Sequence, residues 1–154
     1  MNRIELIKEV QRYFSLRELV DEPTYKKYGD FAWLFWWPEE LETIFCLRDS
    51  IFKKPMTVNN WMYGKSFSQR GLRTNMSPLV QEKTQAGKIY MTAHGLGAGI
   101  DFDVKGVPAE EARQTIIAHK NRLPYPIRLE ADVNWVHQDL FNDGSKDKVV
   151  LFKV

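Results

Sequence analysis

Apolar residues change their period part-way along this chain, and that switch constrains the fold more than any other feature. From Ile4 to Leu19 they recur as Ile4, Leu6, Ile7, Val10, Tyr13, Phe14 and Leu19, close to the 3,4 spacing of one helix face. From Ala98 to Val104 they fall on alternate positions, Ile100, Phe102 and Val104, which is the period of a strand. Helices first and mainly neighbouring strands afterwards predict an α+β fold, with an antiparallel sheet and helices packed on one side.

The amphipathic helix is expected to fray near Ser15, with a short helix after it that ends before Pro23. Pro38, followed by Glu39 and Glu40, suits a first turn through proline at N1 and acidic charge at the positive end of the dipole. A helix over 38–53 follows, with Leu41, Ile44, Phe45, Leu47 and Ile51 inward. Residues 55–58 read as a short strand and 59–88 as a long loop whose aromatic and basic residues line a cleft. Strands are expected at 89–91 and 98–104, then a helix from Pro108 with Ala112, Ile116 and Ile117 inside. Strands over 127–131, 133–141 and 149–152 close the chain, the last two joined by the turn Asn142–Ser145. One domain spans 1–154, its N-terminal helices covering about 1–54 and a site-bearing half about 55–154.

The 22 Lys and Arg nearly balance 20 Asp and Glu, and the net charge of +2 lacks the basic bias of a nucleic-acid binder. The lone Cys46 has no partner for a disulfide and reads as a buried structural thiol. The apolar run Phe31–Trp37 is far short of the roughly 20 residues a membrane span needs. The charged N-terminus has no signal-peptide core, so a cytoplasmic location is expected.

Of the histidines, His119 lies at a polar helix end and reads as solvated. His94 opens a glycine-rich run through Gly95, Gly97 and Gly99 to Asp101, in which the glycines are expected to bring backbone close to a bound ion. Strand alternation puts Asp101 and Asp103 on one face, and sets His137 on the side shared with Trp135 and Asp139. Two histidines and one carboxylate would leave a coordination position free for water, as a hydrolytic zinc requires. Spacing alone leaves a second reading, three unrelated ionisable residues.

The stretch from Thr92 through His94 and Gly97 to Asp101 resembles the S-x-H-x-x-G-x-A-x-D signature of the M15 metallopeptidases. That family comprises D-Ala-D-Ala carboxypeptidases and phage endolysins with the hedgehog/DD-peptidase fold. Trp135, Val136 and His137 resemble its second signature, and Pro55 to Arg73 loosely resembles the place of its S-G-Y-R motif. Thr92 stands for the family's serine and Gly99 for its alanine. The resemblance implies one Zn2+ held by His94, Asp101 and His137. It also implies an arginine, Arg70 or Arg73, on a substrate carboxylate, with Thr92, Trp61 and Tyr63 lining the cleft. The family's general base would stand at position 134, where this chain has Asn134, which accepts no proton at neutral pH. Asp132 is the first substitute, with Glu130 and Asp139 behind it; Asp139 can instead support a ligand histidine.

The function so implied is a zinc-dependent peptidase hydrolysing peptidoglycan peptides by metal-activated water, as a D,D-carboxypeptidase or endopeptidase. The alternative is a cell-wall-binding module or phage structural protein that keeps the fold without turnover. Either would be a monomer without nucleic acid or membrane span, bacterial or prophage-encoded, and released to the wall by another protein.

Overall fold

A computed structural model describes residues 1–154, and its elements begin where side chains can close their first turns. Asn2 caps α1 (Arg3–Gln11), accepting from the Glu5 amide at 3.0 Å while Glu5 accepts from the Asn2 amide, also at 3.0 Å. Ser15 repeats the device for α2 (Leu16–Leu19), its amide donating to Glu18 at 2.7 Å. The expected fraying near Ser15 is therefore a break between two capped helices. The buried Asp21 caps α3 (Glu22–Tyr28) through the Thr24 amide and also accepts from the Ser77 hydroxyl, which ties the middle of the chain to the N-terminal helices.

The apolar run after α3 is a 3-10 helix, Gly29–Phe35, that buries Ala32 and Trp33 and leaves Phe31 and Leu34 exposed. Helix α4 (Pro38–Cys46) runs into a π-helical stretch, Leu47–Phe52, and together they cover the predicted 38–53 up to its last residue, Lys53, which is the left-handed cap. Leu41, Ile44, Leu47 and Ile51 are buried as expected, and Phe45 packs partly buried against them. Cys46 is half-buried, donating to the Arg122 carbonyl at 3.3 Å.

The five strands are β1 (Met56–Thr57), β2 (Gly99–Val104), β3 (Ile127–Glu130), β4 (Val136–Asp139) and β5 (Val149–Phe152), in the sheet order β1-β2-β4-β3-β5. The sheet is mixed, which corrects the antiparallel expectation: β3 and β5 run parallel. The expected hairpin between the last two strands does not form. Both edges of β4 are already taken by β2 and β3, so β5 adds to the open edge of β3.

Residues 89–91 form no strand; Ile89 and Met91 are 90% and 68% exposed and pair with no edge. The long loop contains a 3-10 turn, Trp61–Tyr63, and α5 (Pro78–Gln85), which buries only Val80 and so offered no apolar period. Helix α6 (Ala109–Ala118) buries Ala112 and Ile116, with Ile117 partly buried. A contiguous core joins α1, α2, α4 and α6 to Ile100, Phe102, Leu129 and Val136 on one sheet face. The polar alternates, Asp101, His137, Asp139 and Arg128, are left on the other face. No helix is long and apolar enough to cross a membrane.

Candidate metal centre

Register sets the first two members of the centre side by side. Asp101 on β2 pairs with His137 on β4, so their side chains leave the sheet together, and His137 Nδ1 donates to Asp101 Oδ1 at 2.7 Å. His94 comes from the turn before β2, and backbone bonds to residues 70–73 hold it there. Asp101 N donates to the Arg70 carbonyl at 2.7 Å, Arg73 N to the His94 carbonyl at 3.0 Å, and His94 Nδ1 to the Gly71 carbonyl at 2.9 Å. Because a carbonyl only accepts, the Nδ1 proton is fixed and the Nε2 lone pair faces Asp101 Oδ2, 3.3 Å away.

Glycine permits this arrangement by close packing. A Cβ at Gly71 would stand 2.0 Å from the Leu19 carbonyl oxygen, and one at Gly97, where φ is +68°, would stand 2.2 Å from that of Phe35. Within the run, Gly97 thus fits backbone against backbone and Gly99 makes room for the Cβ atoms of Ala93 and Asp139, which replaces the expectation that the glycines approach an ion.

His94, Asp101 and His137 are 4%, 7% and 8% exposed, and one donor atom from each lies within 4.8 Å of the others. The set fits a metal ion: two nitrogens and a carboxylate, buried, on three different stretches of backbone. Each donor is also supported from behind, as metal ligands usually are. His94 leans on Gly71, Asp101 accepts from Arg73 at 3.2 Å, and His137 Nε2 donates to Asp139 Oδ2 at 2.9 Å. Asp139 in turn receives both Nε and NH2 of Arg128, each at 2.9 Å, and the Phe141 amide.

Protonation follows from these contacts. Burial pushes His94 below its ordinary range, so it stays a neutral donor. Burial alone would also lower His137, but its bonds to Asp101 and Asp139 outweigh that and hold it at about 9; at neutral pH the ring is therefore an imidazolium, and its Nδ1 can bind a metal only after losing the proton it shares with Asp101. Asp101 and Asp139 resist burial in the opposite sense: the histidines keep Asp101 far below the carboxylate range, and His137 with Arg128 holds Asp139 at about 2.

An open cavity of about 380 Å³ lies over the cluster, lined also by Arg73, Thr92, Arg128, Glu130, Trp135 and Phe152. Arg73 reaches the Gln69 carbonyl, the Tyr90 hydroxyl and Asp101. The Thr92 hydroxyl is buried in the protein without a partner. Arg70 pairs instead with Asp103 at 2.8 Å over the ring of Phe67, beside Asn134 in a neighbouring cavity.

Other expected residues lie elsewhere. Asp132 has φ +62° in an exposed turn, is ion-paired with Lys153, and does not line the cavity, which removes it as a base. Glu130 does line the cavity, and its carboxylate makes no hydrogen bond or ion pair in the protein. Arg128 and Leu129 pair with Asp139 and Gln138, and strand alternation puts Glu130 on the same face of β3 as Arg128. Trp61 donates to the Val20 carbonyl at 3.0 Å against Tyr25, and Tyr63 lines a separate cavity between the N-terminal helices; neither walls the cleft. His119 closes α6 as its sequence position suggests.

The sequence offered no signal for Arg113. Nearly buried, it donates to the carbonyls of Val133 and Trp135 at 3.0 and 2.9 Å, fixing the loop that leads into His137. No family model, curated protein or solved structure matches the chain.

Proposed function

We propose that the chain is a zinc-dependent peptidase of the M15 type, acting on peptidoglycan peptides. The observation that carries this reading is the convergence of His94, Asp101 and His137 at the floor of an open cavity. A zinc ion bound there supplies Lewis-acid chemistry, polarising a carbonyl and bringing the pKa of water to about 7.

The chain's own residues supply the rest. The Gly71 carbonyl keeps His94 Nε2 free to bind, and Asp139 keeps His137 Nε2 protonated and its ring turned inward. Glu130, the one carboxylate in the cavity without a partner, takes a proton from the attacking water and returns it to the departing amine. Trp135, Phe141 and Phe152 give the cavity an apolar wall that limits water.

The direct test is amino-group release from purified peptidoglycan with added zinc. Release that depends on zinc and is lost with a chelator is expected; no release with any divalent metal would sink the reading. A second reading, a wall-binding module or phage structural protein without turnover, is favoured by Asn134 at the family's base position. A module of that kind binds zinc and wall fragments without cutting the fragments, and gains activity with Asn134→Glu; a structural protein with a vestigial site binds no metal.

A further inference from the structure

Asp101 and Trp135 each line two cavities. One is the 380 Å³ space over the metal centre, and the other, about 400 Å³, is walled by Phe67, Arg70, Asp103 and Asn134. Both are in the size range of ligand-binding clefts. The ridge of Asp101 and the partly exposed Trp135 therefore stands in the middle of a trough, with binding space on either side of the centre.

The cations of the trough are all engaged. Arg73 is tied to Asp101, Tyr90 and the Gln69 carbonyl; Arg128 is bidentate on Asp139; Arg70 is paired with Asp103. To hold the terminal carboxylate of a peptide, Arg73 or Arg128 would have to leave a buried acid, Asp101 or Asp139, short of its cation, and Arg70 would have to give up its ion pair with the half-exposed Asp103. Conversely, the Asn134 side chain is exposed, makes no hydrogen bond within the protein, and offers both a donor and an acceptor, the pair that a peptide backbone needs.

Resting on the peptidase reading, we infer that the trough takes an internal stretch of peptide, with residues on both sides of the scissile bond. The protein is then an endopeptidase without a terminal-carboxylate pocket, and Asn134 is a substrate-backbone contact in the place where a base was expected.

The test compares one peptidoglycan stem peptide in two forms, a free C-terminal carboxylate and a carboxamide, each with the zinc-loaded protein. Expected is cleavage of both at the same internal bond, with kcat/KM values within about tenfold. Loss of cleavage on amidation, or stepwise release of the last residue, would overturn the inference while leaving the peptidase reading intact. If neither form is cut, the peptidase reading fails, and a titration by tryptophan fluorescence still decides the shape of the site. Equal affinity for the two forms supports the open trough. Preference for the free acid by more than about tenfold, or no binding of either, overturns it. Asn134→Ala is expected to raise KM for both forms alike with little change in kcat; a fall in kcat alone would contradict the backbone-contact role.

Discussion

A single carbonyl decides which nitrogen of His94 faces the cluster. With Nδ1–H fixed on the Gly71 oxygen, His94 presents its other nitrogen to the centre without having to choose a tautomer at binding. His94→Ala is expected to abolish stoichiometric zinc binding, read by metal analysis after dialysis; retention of one ion per chain would show that His94 is not a ligand. Glu130 makes a different prediction, because it faces the cavity without joining the cluster. Glu130→Gln should lower kcat by about 10² to 10⁴ while zinc binding persists. Unchanged kcat would remove Glu130 from the reaction, and a loss of zinc would reassign it to the ligand set.

Elements bring these residues together, and they were legible in the sequence to unequal degrees. The alternation of β2 showed in Ile100, Phe102 and Val104, and it correctly separated Asp101 from the core. His137 and Asp139 were readable for the same reason, as alternate residues of one strand. The sequence pointed to Arg70 and Arg73, but not to the grip of segment 70–73 on His94 and Asp101, most of which is made by backbone carbonyls and an amide, with the Arg73 guanidinium added on Asp101. Helix α5 and the parallel pairing of β5 were hidden for related reasons: one buries a single apolar side chain, and the other depends on which strand edge remains open. Arg113 is the sharpest case, a charge on α6 whose guanidinium turns inward to hold the loop before His137. Arg113→Ala leaves the Val133 and Trp135 carbonyls without that donor, at a cost of about 1–3 kcal/mol. Urea denaturation should show this loss, with a change in Trp135 fluorescence before global unfolding. An unshifted midpoint would mean that water satisfies the loop equally well.

At the scale of the whole molecule, the sheet separates two electrostatic environments. Its open face carries the ionised network of Arg73, Asp101, His137, Asp139 and Arg128, while Gln138 points from the same strand into the core and meets Glu40 of α4 at 3.0 Å. Glu40 is fully buried; desolvation pushes its carboxyl well above the ordinary range, assisted by Asp139 and opposed by the Gln138 bond. Glu40 Oε1 and Gln138 Oε1 are both buried acceptors without partners, so a proton on Glu40 turns one of them into a donor. The sign of the pH effect follows. Between the ordinary glutamate value and the raised folded value, the folded chain holds a proton that the unfolded chain has lost. The contribution of Glu40 is therefore fully present at low pH and declines as pH rises through that window, by at most about 1.4 kcal/mol per pH unit. Glu40→Gln keeps the shape, stays neutral at every pH and can donate to Gln138. Relative to wild type, the variant should gain stability as pH rises above the ordinary glutamate value. Denaturant titrations of the two proteins in parallel, with a chelator present so that metal binding does not contribute, measure the difference directly. Curves that keep a constant separation across that range would mean that Glu40 is ionised in the folded protein, and that the core beneath the metal centre tolerates a charge.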